Sequence, residues 1–139
     1  MLGSDELHEV LFLGRINPSH GLVILKSEES DCVHENWDPG VDLLDFGGDS
    51  LAISVRNPID GPITLEALDS STLEALPDDL NEIHNESWAC HPEELCITDA
   101  SGDIFVRLHS TEEDRRVRVF VDDLEEITVV RIVIGSEFG

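Results

Sequence analysis

The chain has 139 residues, enough for one domain with a buried core, and its 40% apolar content argues against wholesale disorder. It carries 31 acidic side chains against 8 basic ones, a net charge of −23. Such a field repels nucleic acid and anionic lipid and attracts basic proteins or cations, so neither a nucleic acid nor a membrane is expected as a partner.

The opening MLGSDELHEVLFLG has no basic region before its apolar run, and the run is short and acidic, unlike a signal peptide. No stretch approaches the roughly 18 apolar residues that span a bilayer. Three cysteines, Cys32, Cys90 and Cys96, cannot all pair within one chain, and a reduced, cytoplasmic protein is the expectation. Leu7 to Arg15 and Gly21 to Lys26 read as the first two strands, joined by the turn INPSHG. Residues 27–40, SEESDCVHENWDPG, read as a polar loop closed by a Pro-Gly turn. Leu51, Ile53 and Val55 alternate with Ala52, Ser54 and Arg56, the period of a half-buried strand. NPIDGP then turns the chain, and Ile63, Leu65 and Ala67 point inward on the next strand.

Thr72, Leu73, Leu76, Leu80 and Ile83 have rough helical spacing, which Pro77 interrupts, so at most one short helix is expected over 72–84. Ile104, Val106 and Leu108 alternate with Phe105, Arg107 and His109. Val117, Val119 and Val121 alternate with Arg116, Arg118 and Phe120. ITVVRIVI, residues 127–134, is a β-branched run suited to a central strand. Seven or eight short strands at hairpin-like spacing predict an all-β fold, an antiparallel β-sandwich or open barrel, as a single domain over 1–134. The closing GSEFG, residues 135–139, reads as a vector-derived tail.

Gly48-Asp49-Ser50-Leu51 spells GDSL, the block that carries the nucleophile in a family of lipases and esterases. There the serine follows a strand and opens a helix, and a downstream Asp-x-x-His supplies the base. Here Ser50 is followed by an alternating strand, and SWACHP has Trp88 where the aspartate before His91 would stand. A serine without base and orienter is inert. Gly47-Gly48-Asp49 reads as a hairpin turn, Ser50 as a turn residue, and no catalytic residue is assigned.

Cys32, His34, His84, Cys90, His91 and Cys96 are zinc-type ligands, yet no Cys-x-x-Cys occurs and the spacing fits no standard site. No metal and no cofactor is expected, and Cys96 reads as a small apolar group in a strand. Carboxylate pairs such as Asp78-Asp79 and Asp122-Asp123 fall in turns and read as solvated surface; no EF-hand loop is present.

Trp37 and Trp88 sit in polar loops, HENWDPG and HNESWACHP, rather than in alternating strands. One reading makes both indoles lids on the sandwich core. The other makes them anchors of a partner-binding patch, since Trp is enriched at hot spots. On the second reading the contacts are Glu28, Glu29, Asp31, Glu35, Asp38, Asp42 and Asp45 around Trp37, with Glu86, Glu93 and Glu94 around Trp88.

HGLVIL (His20 to Leu25), NWD (Asn36 to Asp38) and LAISV (Leu51 to Val55), all within the first 55 residues, resemble the small acidic β-proteins related to the competence nuclease inhibitor. The resemblance implies binding and blocking of a nuclease, as bacterial immunity proteins of similar size do. The expected function is an acidic protein-binding module, an immunity or nuclease-inhibitor protein facing a basic, nuclease- or toxin-like partner. A structural or assembly domain from a salt-adapted protein set is the alternative, and an enzyme of unrecognised type the third.

Overall fold

Period-two alternation of branched aliphatics leaves each strand with one apolar face, and two such faces exclude water only by stacking on each other. A computed structural model describes residues 8–30, 42–70, 80–88, 94–108 and 116–135. Its strands are β1 (His8–Ile16), β2 (Leu22–Ser27), β3 (Leu44–Phe46), β4 (Ser50–Ser54) and β5 (Ile63–Ser70). They continue with β6 (Asn81–Ser87), β7 (Leu95–Asp99), β8 (Phe105–Arg107), β9 (Arg116–Val121) and β10 (Val129–Ile134). One sheet has the order β1-β5-β10-β9-β6, the other β3-β4-β2-β7-β8. The fold is an all-β sandwich.

Val23, Leu25, Leu51, Ile53 and Ile97 of the second sheet meet Leu65, Ala67, Val119, Val130 and Ile132 of the first, all fully buried. Burial of each larger aliphatic side chain contributes about 1.5–3 kcal/mol. β10 is central, as the β-branched run suggests, with β5 on one side and β9 on the other. Its pairing with β5 is parallel, Val130 opposite Leu65 and Ile132 opposite Ala67, so the sandwich is not purely antiparallel. The ladder runs one residue past β10, where the Gly135 amide donates to Arg116 O at 2.8 Å.

Sequence and structure part at four points. Ten strands form among the described residues where seven or eight are expected, since β3 and β6 show no clear alternation. Residues 81–84, inside the segment allowed a helical turn, belong to β6; residues 71–79 lie outside the described residues. Ser50 opens β4 rather than sitting in the turn, is fully buried and lies opposite Lys26. Phe120 points away from the main core yet is 4% exposed, packed with Leu68 and Val133 in a second cluster on the outer face of its sheet.

Pairings fix the two ends of the sandwich. Ser27, Phe46, Ser50, Leu95 and Arg107 share one end of the second sheet, and Ser87, Arg116 and Ile134 one end of the first. The Phe46 and Trp88 rings, 5.2 Å apart, bring these ends together. At the opposite end a 3-10 turn, Ser19–Gly21, precedes β2, a second one, Pro58–Asp60, follows β4, and residues 122–128 join β9 to β10.

Candidate functional site

Glu28, Glu29, Glu86 and Glu94 gather at the first end, where β2 and β6 stop and β7 starts, and all four are exposed. The Glu28 amide donates to Glu94 O at 2.9 Å, so these two acids are neighbours. Glu28 does not face solvent as a bare charge. Arg107 donates to its Oε2 from Nε at 2.6 Å and to its Oε1 from a terminal nitrogen at 3.0 Å, while the same guanidinium lies 5.6 Å from the exposed Phe105 ring.

Trp88 sits at this end but is 3% exposed and belongs to the main core. Its indole packs on Phe46, and its Nε1–H donates to His84 Nε2 at 2.9 Å. The indole thus packs as a lid would, and little of it reaches the surface. The His84 ring stacks edge-on against Phe46 at 4.6 Å, and burial pushes its pKa below 6.5, opposed by the charges of Glu86 and Glu82. Asp45 lies on β3, opposite Ala52. Trp37, Glu35, Asp38, Asp31 and Glu93 lie outside the described residues.

Asp42 is at the opposite end. There a cleft of about 580 Å³ opens between residues 42–43, the segment 54–60 and the turn 124–127. Asp42, Asp60, Glu125 and Glu126 line it, with Arg56 as the lining cation. Arg56 joins the walls: its amide donates to Ile127 O at 3.0 Å, and its Nε reaches Glu126 Oε2 at 3.1 Å. Of the contacts nominated from the sequence, Asp42, grouped there with Trp37, is the one the structure brings to this cleft among the described residues. The walls come from segments some 70 positions apart, and no local pattern joins them.

Turns at this end are stiffened by carboxylates used as internal acceptors. Asp99 accepts from the amides of Ser19 (3.0 Å), Gly102 (2.9 Å) and Ile104 (3.3 Å). Burial works against its ionisation, but these hydrogen bonds prevail and hold its pKa below 3.8. Asp122 accepts from the amides of Thr128 (2.9 Å) and Val129 (3.0 Å), with the same balance and the same direction. Neither acid is a spare solvated charge.

Arginines are absorbed in the same way. Arg131 pairs with Glu66 on the neighbouring strand at 2.6 Å, Arg118 with Glu82, and Arg116 donates to Asn85 Oδ1 at 2.6 Å. The Arg131 and Arg118 pairs are part-buried, so part of their attraction offsets the cost of taking these charges out of water. Their larger consequence is that little positive charge projects from the surface.

Cys96 is a buried free thiol in β7, and burial raises its pKa. Among the described residues no three or more His, Cys, Asp or Glu side chains are placed to hold a metal ion. Cys32, His34, Cys90 and His91 lie outside them.

No protein-family model matches the chain, and no curated protein matches it in sequence. In structure it is similar to ComJ from Bacillus subtilis, described as the inhibitor of the DNA degrading activity of NucA, at a TM-score of 0.64 and 9% identity. The correspondence covers 92% of this chain and 98% of that one. At such identity the likeness is one of fold. The resemblance drawn on residues 20–55 extends, at that level, to nearly the whole chain.

Proposed function

We propose that this protein is a non-enzymatic inhibitor that binds a basic, nuclease-like protein and covers its active-site cleft with carboxylates. One observation carries the reading: the fold corresponds end to end with that of a nuclease inhibitor. The charge of −23 supports it, because a cleft that binds polyanionic DNA presents cations, and complementary fields speed encounter and reject wrong partners. The strand ends that carry Glu28, Glu86 and Glu94 are already paired in the two sheets, so little backbone ordering is left to binding. The contacts nominated from the sequence include Glu28, Glu29, Glu86 and Glu94, which stand at the first end, and Asp42, which stands at the second; Trp37, Glu35, Asp38, Asp31 and Glu93 are nominated with them and lie outside the described residues.

The test is DNA degradation by basic nucleases of the native host, titrated with the purified protein at low and high salt. Inhibition saturating near one inhibitor per nuclease is expected. It should weaken as the Debye length contracts from about 10 Å at 0.1 M to about 3 Å at 1 M. The competing reading, a structural domain whose acidity is a salt adaptation, is favoured by the single lysine, Lys26, among so many acids. On that reading the isolated protein gains melting temperature steadily up to about 3 M potassium chloride, where charge repulsion is screened, and no nuclease is slowed.

A further inference from the structure

The second end of the sandwich combines three properties that solvation alone does not require. Two large aliphatic side chains stand in water there: Ile59 is 91% exposed and Leu124 is 52% exposed. Among the described residues only Leu13 and Phe105 are comparable, and Phe105 is partnered by Arg107. Leu124 lines the 580 Å³ cleft, and Ile59 sits on the 3-10 turn that contributes Asp60 to it.

Both side chains are mounted on stiff turns. Asn57 Oδ1 accepts from the Ile59 amide at 2.9 Å, and the Asp60 amide donates to Asn57 O at 2.9 Å. On the other wall Asp123 Oδ1 accepts from the Glu125 amide at 2.9 Å, beside the Asp122 clasp. The Arg56 bonds to Ile127 and Glu126 hold the walls at a fixed separation. An exposed aliphatic on the cleft wall, with a second on the stiff turn that supplies Asp60 to the cleft, suits docking, because little backbone freedom is lost when a partner arrives.

Charge selects the occupant. Four carboxylates and one guanidinium line the cleft, so an acidic or neutral apolar segment is disfavoured and a cationic one with an aliphatic side chain is favoured. We propose that this cleft receives a basic loop of the partner protein, with Ile59 and Leu124 gripping an aliphatic residue while Asp60 and Glu125 meet flanking arginines or lysines. The inference rests on the inhibitor reading for the partner's identity and moves the contact surface away from the Trp88 end. There Glu28 is neutralised by Arg107 and the indole is buried.

The probe is a synthetic dodecapeptide of arginines spaced by leucines, with control peptides carrying serine for leucine or glutamate for arginine. Titrated into the 15N-labelled full chain at low salt, the first peptide should give saturable shifts at the amides of residues 56, 57, 59, 60 and 123–127. The double variant Ile59→Ser with Leu124→Ser should weaken binding at least fivefold. Leu13→Asn, at an exposed aliphatic in the middle of β1, should change it less than twofold. Both serines replace exposed side chains, and an unchanged melting temperature verifies the fold. Shifts centred on residues 28–29, 86 and 94, no saturable binding, or equal binding of the serine-for-leucine peptide each overturn the cleft. In the nuclease assay, undiminished inhibition by the double variant overturns the cleft and leaves the inhibitor reading standing. Peptide binding at the cleft by a protein that slows no nuclease retains the docking site and overturns the inhibitor reading.

Discussion

The indole nitrogen of Trp88 donates its proton to Nε2 of His84 across 2.9 Å, and both rings are buried beside Phe46. An accepting Nε2 carries no proton, so His84 is neutral, with its proton on Nδ1. The edge strand β6 thus supplies His84, and the residue just past its end is Trp88, the pair that seals this end of the core.

Stability should therefore respond to mild acid. The unfolded histidine titrates near 6.5 and the folded one below that. Between the two values the unfolded chain binds more protons, so this contribution is complete above pH 6.5 and declines as pH falls through and below it. Denaturation midpoints measured from pH 7.5 to 5 should drop, and His84→Gln, which keeps an acceptor for Trp88 but cannot titrate, should flatten that drop. An unchanged slope in the variant would mean that His84 is not the group responsible.

Asp99 acts in a lower window. Its folded pKa lies below the unfolded 3.8, so its stabilisation is complete above 3.8 and is lost as pH falls toward the folded value. Asp99→Ala removes the acceptor of the Ser19, Gly102 and Ile104 amides and should cost about 1–3 kcal/mol at neutral pH. Urea denaturation at pH 7 and pH 3 measures both effects, and the difference between wild type and variant should shrink at the lower pH.

Gly21 has φ +64, and a Cβ built there would lie 2.9 Å from Val55 O. The Val55 amide also donates to Gly21 O at 2.8 Å, so the two segments meet backbone to backbone. Gly21→Ala should destabilise by about 1–3 kcal/mol, from the left-handed backbone and the clash together. A loss under about 0.5 kcal/mol in equilibrium unfolding would show that this turn relaxes freely.

Ser50 lies at the head of β4 with no exposed surface, and the only described buried histidine already accepts from Trp88. Purified protein should hydrolyse short-chain nitrophenyl esters no faster than Ser50→Ala does. A serine-dependent rate well above that control would revive the esterase reading of GDSL.

The sheet interior was legible where branched aliphatics alternate. Val117, Val119 and Val121 announce β9, and the run from Ile127 to Ile134 announces the central β10. β6 was not, because NEIHNES buries His84 and half-buries Ile83 among polar neighbours, and an imidazole carries no apolar signal in a pattern. β3 spans three residues, too few for any period. The parallel β5–β10 pairing joins residues 65 positions apart, beyond what a local window holds. The cleft escaped for a related reason: Ile59 and Asp60 read as an ordinary turn until the β9–β10 connection is placed beside them.

The central place of β10 orders events during synthesis. β5 gains a neighbour on one side from β1, already translated, but its other edge stays open until residues 129–134 emerge. At about 5–20 residues per second the ribosome leaves that edge bare for some seconds. An open edge strand is a template for another chain, so nascent copies are most prone to joining one another in this interval. Charge opposes that encounter before any fold exists, since every nascent chain already carries a large excess of carboxylates. The acidity of the finished protein thus also keeps unfinished copies apart on a polysome.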